Sequence, residues 1–354
     1  MRHLFQKTAL LLAFFSSSAM AECLDVYGVD EKESKQILAE YSPQLVKLTH
    51  ALSTGVSHNS DNFFNSPEAL KLREERQALI KKIKEEHHYV YVDMDTIFYS
   101  EKEYCTTLEI IKSNQQDRLR YVPEQRKIAY PKKHDIIDVM QTYQTLSRKL
   151  FFENKVQPTH LDCPVYHCTI GFSHPQLKPY LNKFNTAALQ QRVLILDVLK
   201  NDPDPTRRAS AAYLVGHFRD PRDIVNVLIP YVNDKDDGVR NNVIRVLSLT
   251  TQKANITDLN PAPFIELLNS PFGTDRNKSL FLLSILAQSD VTKRYLIQHA
   301  KAPLLSILRL QQSNQHDFAY EILKKISHQD FGPHDEVRWA AWFDKQKSLG
   351  GSVS

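Results

Sequence analysis

Residues 160–175, HLDCPVYHCTIGFSHP, bring two cysteines and three histidines together, and three kinds of chemistry use such side chains. A zinc-type site would draw on His160, Cys163, His167 and Cys168, four ligands of the right kind. The spacing serves that site poorly, because adjacent His167 and Cys168 would have to reach one ion and no CxxC knuckle is present. A nucleophilic thiol at Cys163 or Cys168 would need a base such as His167 or His160 in the right geometry. A disulfide between Cys163 and Cys168 would close a small loop around Pro164. The chain has four cysteines, so Cys23 and Cys105 would complete the pairing. Loop entropy values the short bridge at about 2 kcal/mol and the long one at about 4.5 kcal/mol. A second group is HHYVYVDMD, in which Asp93 and Asp95 share one face of a strand and His87 and His88 lie just upstream. Paired carboxylates can hold a cation or share acid–base work. On the wet face of an edge hairpin they also keep strands from pairing edge to edge, and that plainer reading is preferred. No GxSxG, P-loop, HExxH or glycine-rich nucleotide fingerprint occurs.

Which chemistry applies depends on compartment, since disulfides persist in oxidising spaces. The chain opens as a secretory signal: Arg2 and Lys7 flank the start of a short apolar run, TALLLAFF, and SSSAMA ends in small residues at Ala19 and Ala21. Cleavage is expected after Ala21, giving a periplasmic or secreted protein. The apolar run is well short of the ~20 residues that span a bilayer. Glu22 before Cys23 argues against a lipid anchor. Losing Arg2 and Lys7 takes the formal net charge from +4 to +2. So balanced a chain gives little support to a nucleic-acid partner. An oxidising address favours the disulfide reading of the four cysteines.

The elements that would position these residues fall into two rhythms. Before residue 155 the pattern is mixed. Charged helical stretches at 31–52 and 67–87 precede alternating, strand-like runs at 89–99, 104–112 and 118–122. The expectation is a small antiparallel meander within an α+β domain, residues 22–155. A helix over 134–153, with Ile136, Ile137, Val139, Met140, Tyr143 and Leu146 at helical spacing, is expected to cover the sheet. Residues 156–184 form a Cys/His junction, with Phe172, Leu177, Tyr180, Leu181 and Phe184 packing onto the helices from residue 185 onward.

From residue 185 the chain repeats itself. TRRASAAYLVG, GVRNNVIRVLS and DRNKSLFLLS align Arg208, Arg240 and Arg276, with apolar or small residues matching behind them; HDFAYEIL is a fourth copy with His316 in the arginine slot. Amphipathic partners lie between them at 188–200, 223–232, 263–269 and 303–312. Units of two helices at this period bury their apolar faces only by stacking. The pattern resembles exported bacterial HEAT and armadillo-like repeat proteins over 185–347, and the Cys/His segment looks like one that precedes such repeats, which extends the likeness to about residue 160. The resemblance implies an all-α superhelical solenoid of four to five units after the α+β domain. It also implies bonds of Asp204 with Arg208 and of Asp236 with Arg240, looser stacking at His316, and a terminal cap made by Trp339 and Trp342. Residues 348–354 are expected to form a disordered tail.

Stacked hairpins expose an inner groove suited to an extended or helical partner. The positions off the apolar stripe of the second helices are Arg207, Tyr213, Asn242, Arg245, Lys278 and Phe281, and they are the groove candidates. The functional expectation is a non-catalytic scaffold that binds another protein or peptide of the envelope or secreted pool. It would use no cofactor, no metal, no nucleic acid and no transmembrane segment. The alternative is a periplasmic enzyme or metalloprotein using segment 160–174.

Overall fold

The computed structural model describes residues 23–58, 66–99, 103–123, 130–157 and 163–350, so the expected signal segment and His160 lie outside the described residues. Three strands form one sheet in the order β1 (Cys23–Tyr27), β3 (Tyr104–Ile111), β2 (Tyr91–Phe98). Strand β1 runs parallel to β3, with Cys23 opposite Cys105, and β2 runs antiparallel to β3, with Tyr91 opposite Ile111. The sheet is therefore mixed, not the antiparallel meander expected. Residues 113–121 form a 3-10 helix rather than a third strand. In SNQQDRLRY the alternation is confined to Leu119 and Tyr121, too short a run to present a strand's face to a core. The five residues of β1 pair with a partner 82 positions away, a match that no local pattern displays.

Helices α1 (Glu31–His58) and α2 (Pro67–Glu86) cover one face of the sheet. Ile37, Tyr41, Leu45, Leu79 and Ile83 meet Val26, Val92, Met94, Leu108 and Ile110 in a small separate core. Helix α3 (Ile136–Phe152) does not cover the sheet as expected. Its Tyr143 ring packs 5.1 Å from Phe172 and 5.5 Å from Phe184, and the helix belongs to the larger core that runs on to Phe343. The apolar stripe is legible in the residue order; the surface that receives it is not.

The second region is a stack of paired helices: α4 (Lys178–Gln190) and α5 (Arg192–Asn201), α6 (Pro205–Val215), α7 (Pro221–Leu228), α8 (Asp237–Ala254), α9 (Ala262–Leu267), α10 (Gly273–Leu286), α11 (Asp290–His299), α12 (Lys301–Leu308), α13 (Ser313–Ser327) and α14 (Glu336–Gly350). Local chemistry starts several of them. Asp204 accepts from the Thr206 amide at 2.8 Å with Pro205 at the first helical position, and Asp220 does the same for α7 with Pro221. Helices α6, α8, α10 and α13 line up side by side as the second members of successive pairs. Trp339 is fully buried on α14 and donates to the Gly332 carbonyl at 2.9 Å. Helix α14 runs to Gly350, past the point where a disordered tail was expected.

The N-terminal region docks against the start of each of these second helices in reverse chain order. Arg207 of α6 meets Asp135 and Asp138 at the head of α3 as well as Asp202. Arg240 of α8 donates to the Tyr121 carbonyl at 3.1 Å and to Asp275 at 2.7 Å. Arg276 of α10 grips both carboxylate oxygens of Glu109 on β3, and its guanidinium lies 3.8 Å from the Tyr27 ring centroid. At α13, where His316 holds the arginine slot, Asp25 of β1 accepts from the Gln311 and Gln312 amides, each at 2.9 Å. All three arginines and every one of these acids except half-buried Asp135 are buried, and buried charges persist where geometry pairs them. The acid partners differ from those the resemblance implied. Asp204 and Asp236 serve as helix caps, while Arg208 pairs with Asp234 at 2.9 Å and Arg240 with Asp275.

Candidate functional site

An open cavity of about 680 Å³ lies between α3, α6 and α8. Helical spacing builds its walls. Thr206, Ser210 and Tyr213 fall on one stripe of α6, Gly238, Asn241, Asn242 and Arg245 on one stripe of α8, and Gln141, Gln144, Thr145 and Arg148 on one stripe of α3. Some of the polar groups bond across the floor. Ser210 donates to Gln144 Oε1 at 3.1 Å, Gln141 to Thr206 Oγ1 at 3.2 Å, and Asn242 to the Ala209 carbonyl at 2.9 Å. Others are left over. Asn241 Oδ1 and Arg245 Nε are shielded from solvent and have no partner among the described residues. A buried polar atom without a partner costs free energy, and such groups gather where a ligand completes them.

The cysteine segment forms the end wall of this groove. Cys163 and Cys168 are joined in a disulfide, as are Cys23 and Cys105, with Cα–Cα separations of 5.6 Å and 4.6 Å. The loop between Cys163 and Cys168 is tied down three ways. The Tyr166 amide donates to the Gly216 carbonyl at 3.2 Å, and Lys253 Nζ donates to the Cys163 carbonyl at 3.1 Å. The His167 ring stacks 4.5 Å from that of Tyr213. A side chain at residue 216 would press within 3.0 Å of His167 Cβ, so glycine there lets the loop approach. Thr169 and Ile170, just past the bridge, then face the groove. Behind them His217 sits among Phe172 and Phe184, hydrogen-bonded to Asn185 at 2.8 Å, and burial pushes it down to about 3.

The sequence-derived candidates separate on this frame. Tyr213, Asn242 and Arg245 line the groove. Lys278 and Phe281 stand on α10, the next helix of the row, where Phe281 packs 5.4 Å from Phe318. Arg207 is a correction: it is 2% exposed and enclosed by three carboxylates, so it holds α3 to the stack and does not face a partner. With Cys163 and Cys168 in a disulfide, the metal alternative has no thiolates to offer, and His174 bonds locally, its Nδ1 accepting from the Gln176 amide. Asp93 and Asp95 do not sit on an open wet face. Asp93 pairs with Arg76, and burial pushes the Asp95 carboxyl up beside the start of α10. His87 stacks on Tyr89 at 5.4 Å. The α3 wall is absent from the sequence-derived candidates, although Gln141, Gln144 and Arg148 at helical spacing on the face opposite Val139 and Leu146 were a signal that could have found it.

A family model for HEAT repeats matches residues 193–273, which runs from α5 to the start of α10. A crystal structure of computationally designed armadillo repeat proteins for modular peptide recognition matches 62% of this chain and 94% of that chain, at 11% identity and a TM-score of 0.34. Among curated proteins none matches the chain significantly. No helix of the described residues is long and apolar enough to cross a membrane.

Proposed function

We propose that this HEAT-repeat chain is an exported, non-catalytic scaffold that holds a segment of another envelope or secreted protein in the groove between α3, α6 and α8. The observation that carries the reading is the open cavity itself, whose lining leaves Asn241 Oδ1 and Arg245 Nε without partners among the described residues while Gln141, Ser210 and Asn242 beside them are bonded. Aromatic Tyr143 and Tyr213 stand beside amides and a guanidinium there, a mixture common where proteins grip one another. Export accords with the leader read from the sequence and with four cysteines disposed as two bridges.

A photo-cross-linking residue at Gln144, inside the groove, and another at Val193, 83% exposed on α5, test the site in the native envelope. The expected result is one protein captured from Gln144 and not from Val193, with capture lost on Tyr213→Ala. Equal capture at both positions would overturn the reading. An intact mass starting at Glu22, with no thiol open to alkylation, is expected of the exported chain.

A further inference from the structure

Five arginines lie on α6, α8 and α10, and four of them meet an acid. Arg207, Arg208, Arg240 and Arg276 pair with Asp202, Asp234, Asp275 and Glu109. Arg245 forms no ion pair or hydrogen bond among the described residues, and its Nε is sealed from solvent. On the next helix stands Lys278, whose ammonium, among the described residues, bonds the Asn277 side chain at 2.6 Å. Burial, and then the charge of Arg245, push Lys278 down to about 7. Two cations that repel each other and are half withdrawn from water are costly to the free protein. At Arg207, Arg208, Arg240 and Arg276 that cost is met by carboxylates; at Arg245 in the groove wall and Lys278 on the next helix no carboxylate of the described residues meets it. Asp236, the acid in the lining, is engaged in accepting from the Val239 amide at 3.0 Å.

We infer that the groove's occupant is a polypeptide segment that places a carboxylate, either an Asp or Glu side chain or a free C-terminus, against Arg245 and Lys278. A guanidinium matches a carboxylate in fork geometry, and a nearby ammonium adds a second charge-assisted bond. A polypeptide fits better than a phosphate compound because Asn241 Oδ1, buried and unpaired, requires a hydrogen-bond donor, which a peptide backbone carries at nearly every residue and a fully ionised phosphate group does not. This inference rests on the groove reading above and adds the chemistry of what the groove selects.

Random dodecapeptides displayed against the oxidised full chain, followed by fluorescence anisotropy on the enriched sequences, test it. Each peptide is compared with a form whose Asp and Glu are changed to Asn and Gln, and with a C-terminally amidated form. One of the two neutralisations is expected to weaken binding about tenfold to a hundredfold, and which one does so identifies the source of the carboxylate. Arg245→Gln should erase that difference, Lys278→Gln should shrink it, and added salt should weaken the acidic peptide selectively. Arg245→Gln should leave the thermal midpoint unchanged or raised, because it removes an uncompensated charge. Peptides that bind equally well when neutralised would overturn the carboxylate and leave the groove standing. So would a midpoint lowered by several degrees in Arg245→Gln, which would mark Arg245 as structural. Failure to enrich any peptide, or binding indifferent to Tyr213→Ala and Arg245→Gln alike, would overturn the groove itself.

Discussion

The edge where the N-terminal region docks and the groove a few ångströms along the same helices are built from the same parts and finished differently. On the edge, guanidinium after guanidinium is closed off by an element from elsewhere in the chain: the head of α3 over Arg207, the Tyr121 carbonyl over Arg240, Glu109 over Arg276. In the groove, Arg245 stands about one and a half helical turns beyond Arg240 on α8 and has no such closure among the described residues. The first arrangement holds two regions of the chain to each other; the second leaves an unmet demand. Residue type does not separate a binding cation from a structural one. Whether the chain itself supplies the counter-charge does.

Changes on the edge should therefore cost stability, and changes in the groove should cost binding. The largest effect is expected from Arg240→Ala, which strands the carboxylate of Asp275, a side chain with no solvent exposure; about 3–5 kcal/mol should be lost in urea unfolding. A loss below about 1 kcal/mol would mean that the buried Arg240–Asp275 pair is not what holds this edge together. Acid should weaken the chain next. His217 is held neutral by burial, with its folded value about 3 against 6.5 when free, so the unfolded chain takes up the proton first. The stability it contributes is present above pH 6.5 and falls as pH drops from 6.5 towards 3, by up to about 1.4 kcal/mol per pH unit. His217→Gln should flatten that limb of the stability–pH curve relative to the unchanged chain, and parallel curves would dismiss the assignment.

Joint replacement of Cys163 and Cys168 by serine should cost about 2 kcal/mol through loop entropy. It should also loosen groove ligands, because the bridge steadies the loop that leads to Thr169 and Ile170. Unchanged peptide affinity in that variant would remove the loop from the site. The smallest stability effect belongs to Arg245→Gln, expected within about 0.5 kcal/mol or on the stabilising side, measured in the same urea series as Arg240→Ala. A cost similar to that of Arg240→Ala would erase the distinction between edge and groove.

Much of this could be read from the residue order. The copies around Arg208, Arg240, Arg276 and His316 mark the stack, because a helix pair that cannot bury its own face must repeat in order to be covered. Asp204–Pro205 and Asp220–Pro221 mark helix starts, because capping is a local matter of one side chain and the amides just ahead of it. The pairing of Cys163 with Cys168 follows the same logic of short range. What failed to show was long-range. Strand β1 is recognisable only beside β3, and the stripe on α3 suits a sheet or a helix stack equally well until aromatic partners such as Phe172 and Phe184 receive it.

Arg207 and Arg245 state the division most plainly. The amino-acid order set both on the polar flank of a repeating helix and so made both look like hands held out to a partner, because periodicity reports only which side of a helix a residue takes. Tertiary structure brought Asp135, Asp138 and Asp202 to one and, among the described residues, no acid to the other. Electrostatic satisfaction depends on distances between groups far apart in the chain, and those exist only once the chain has folded.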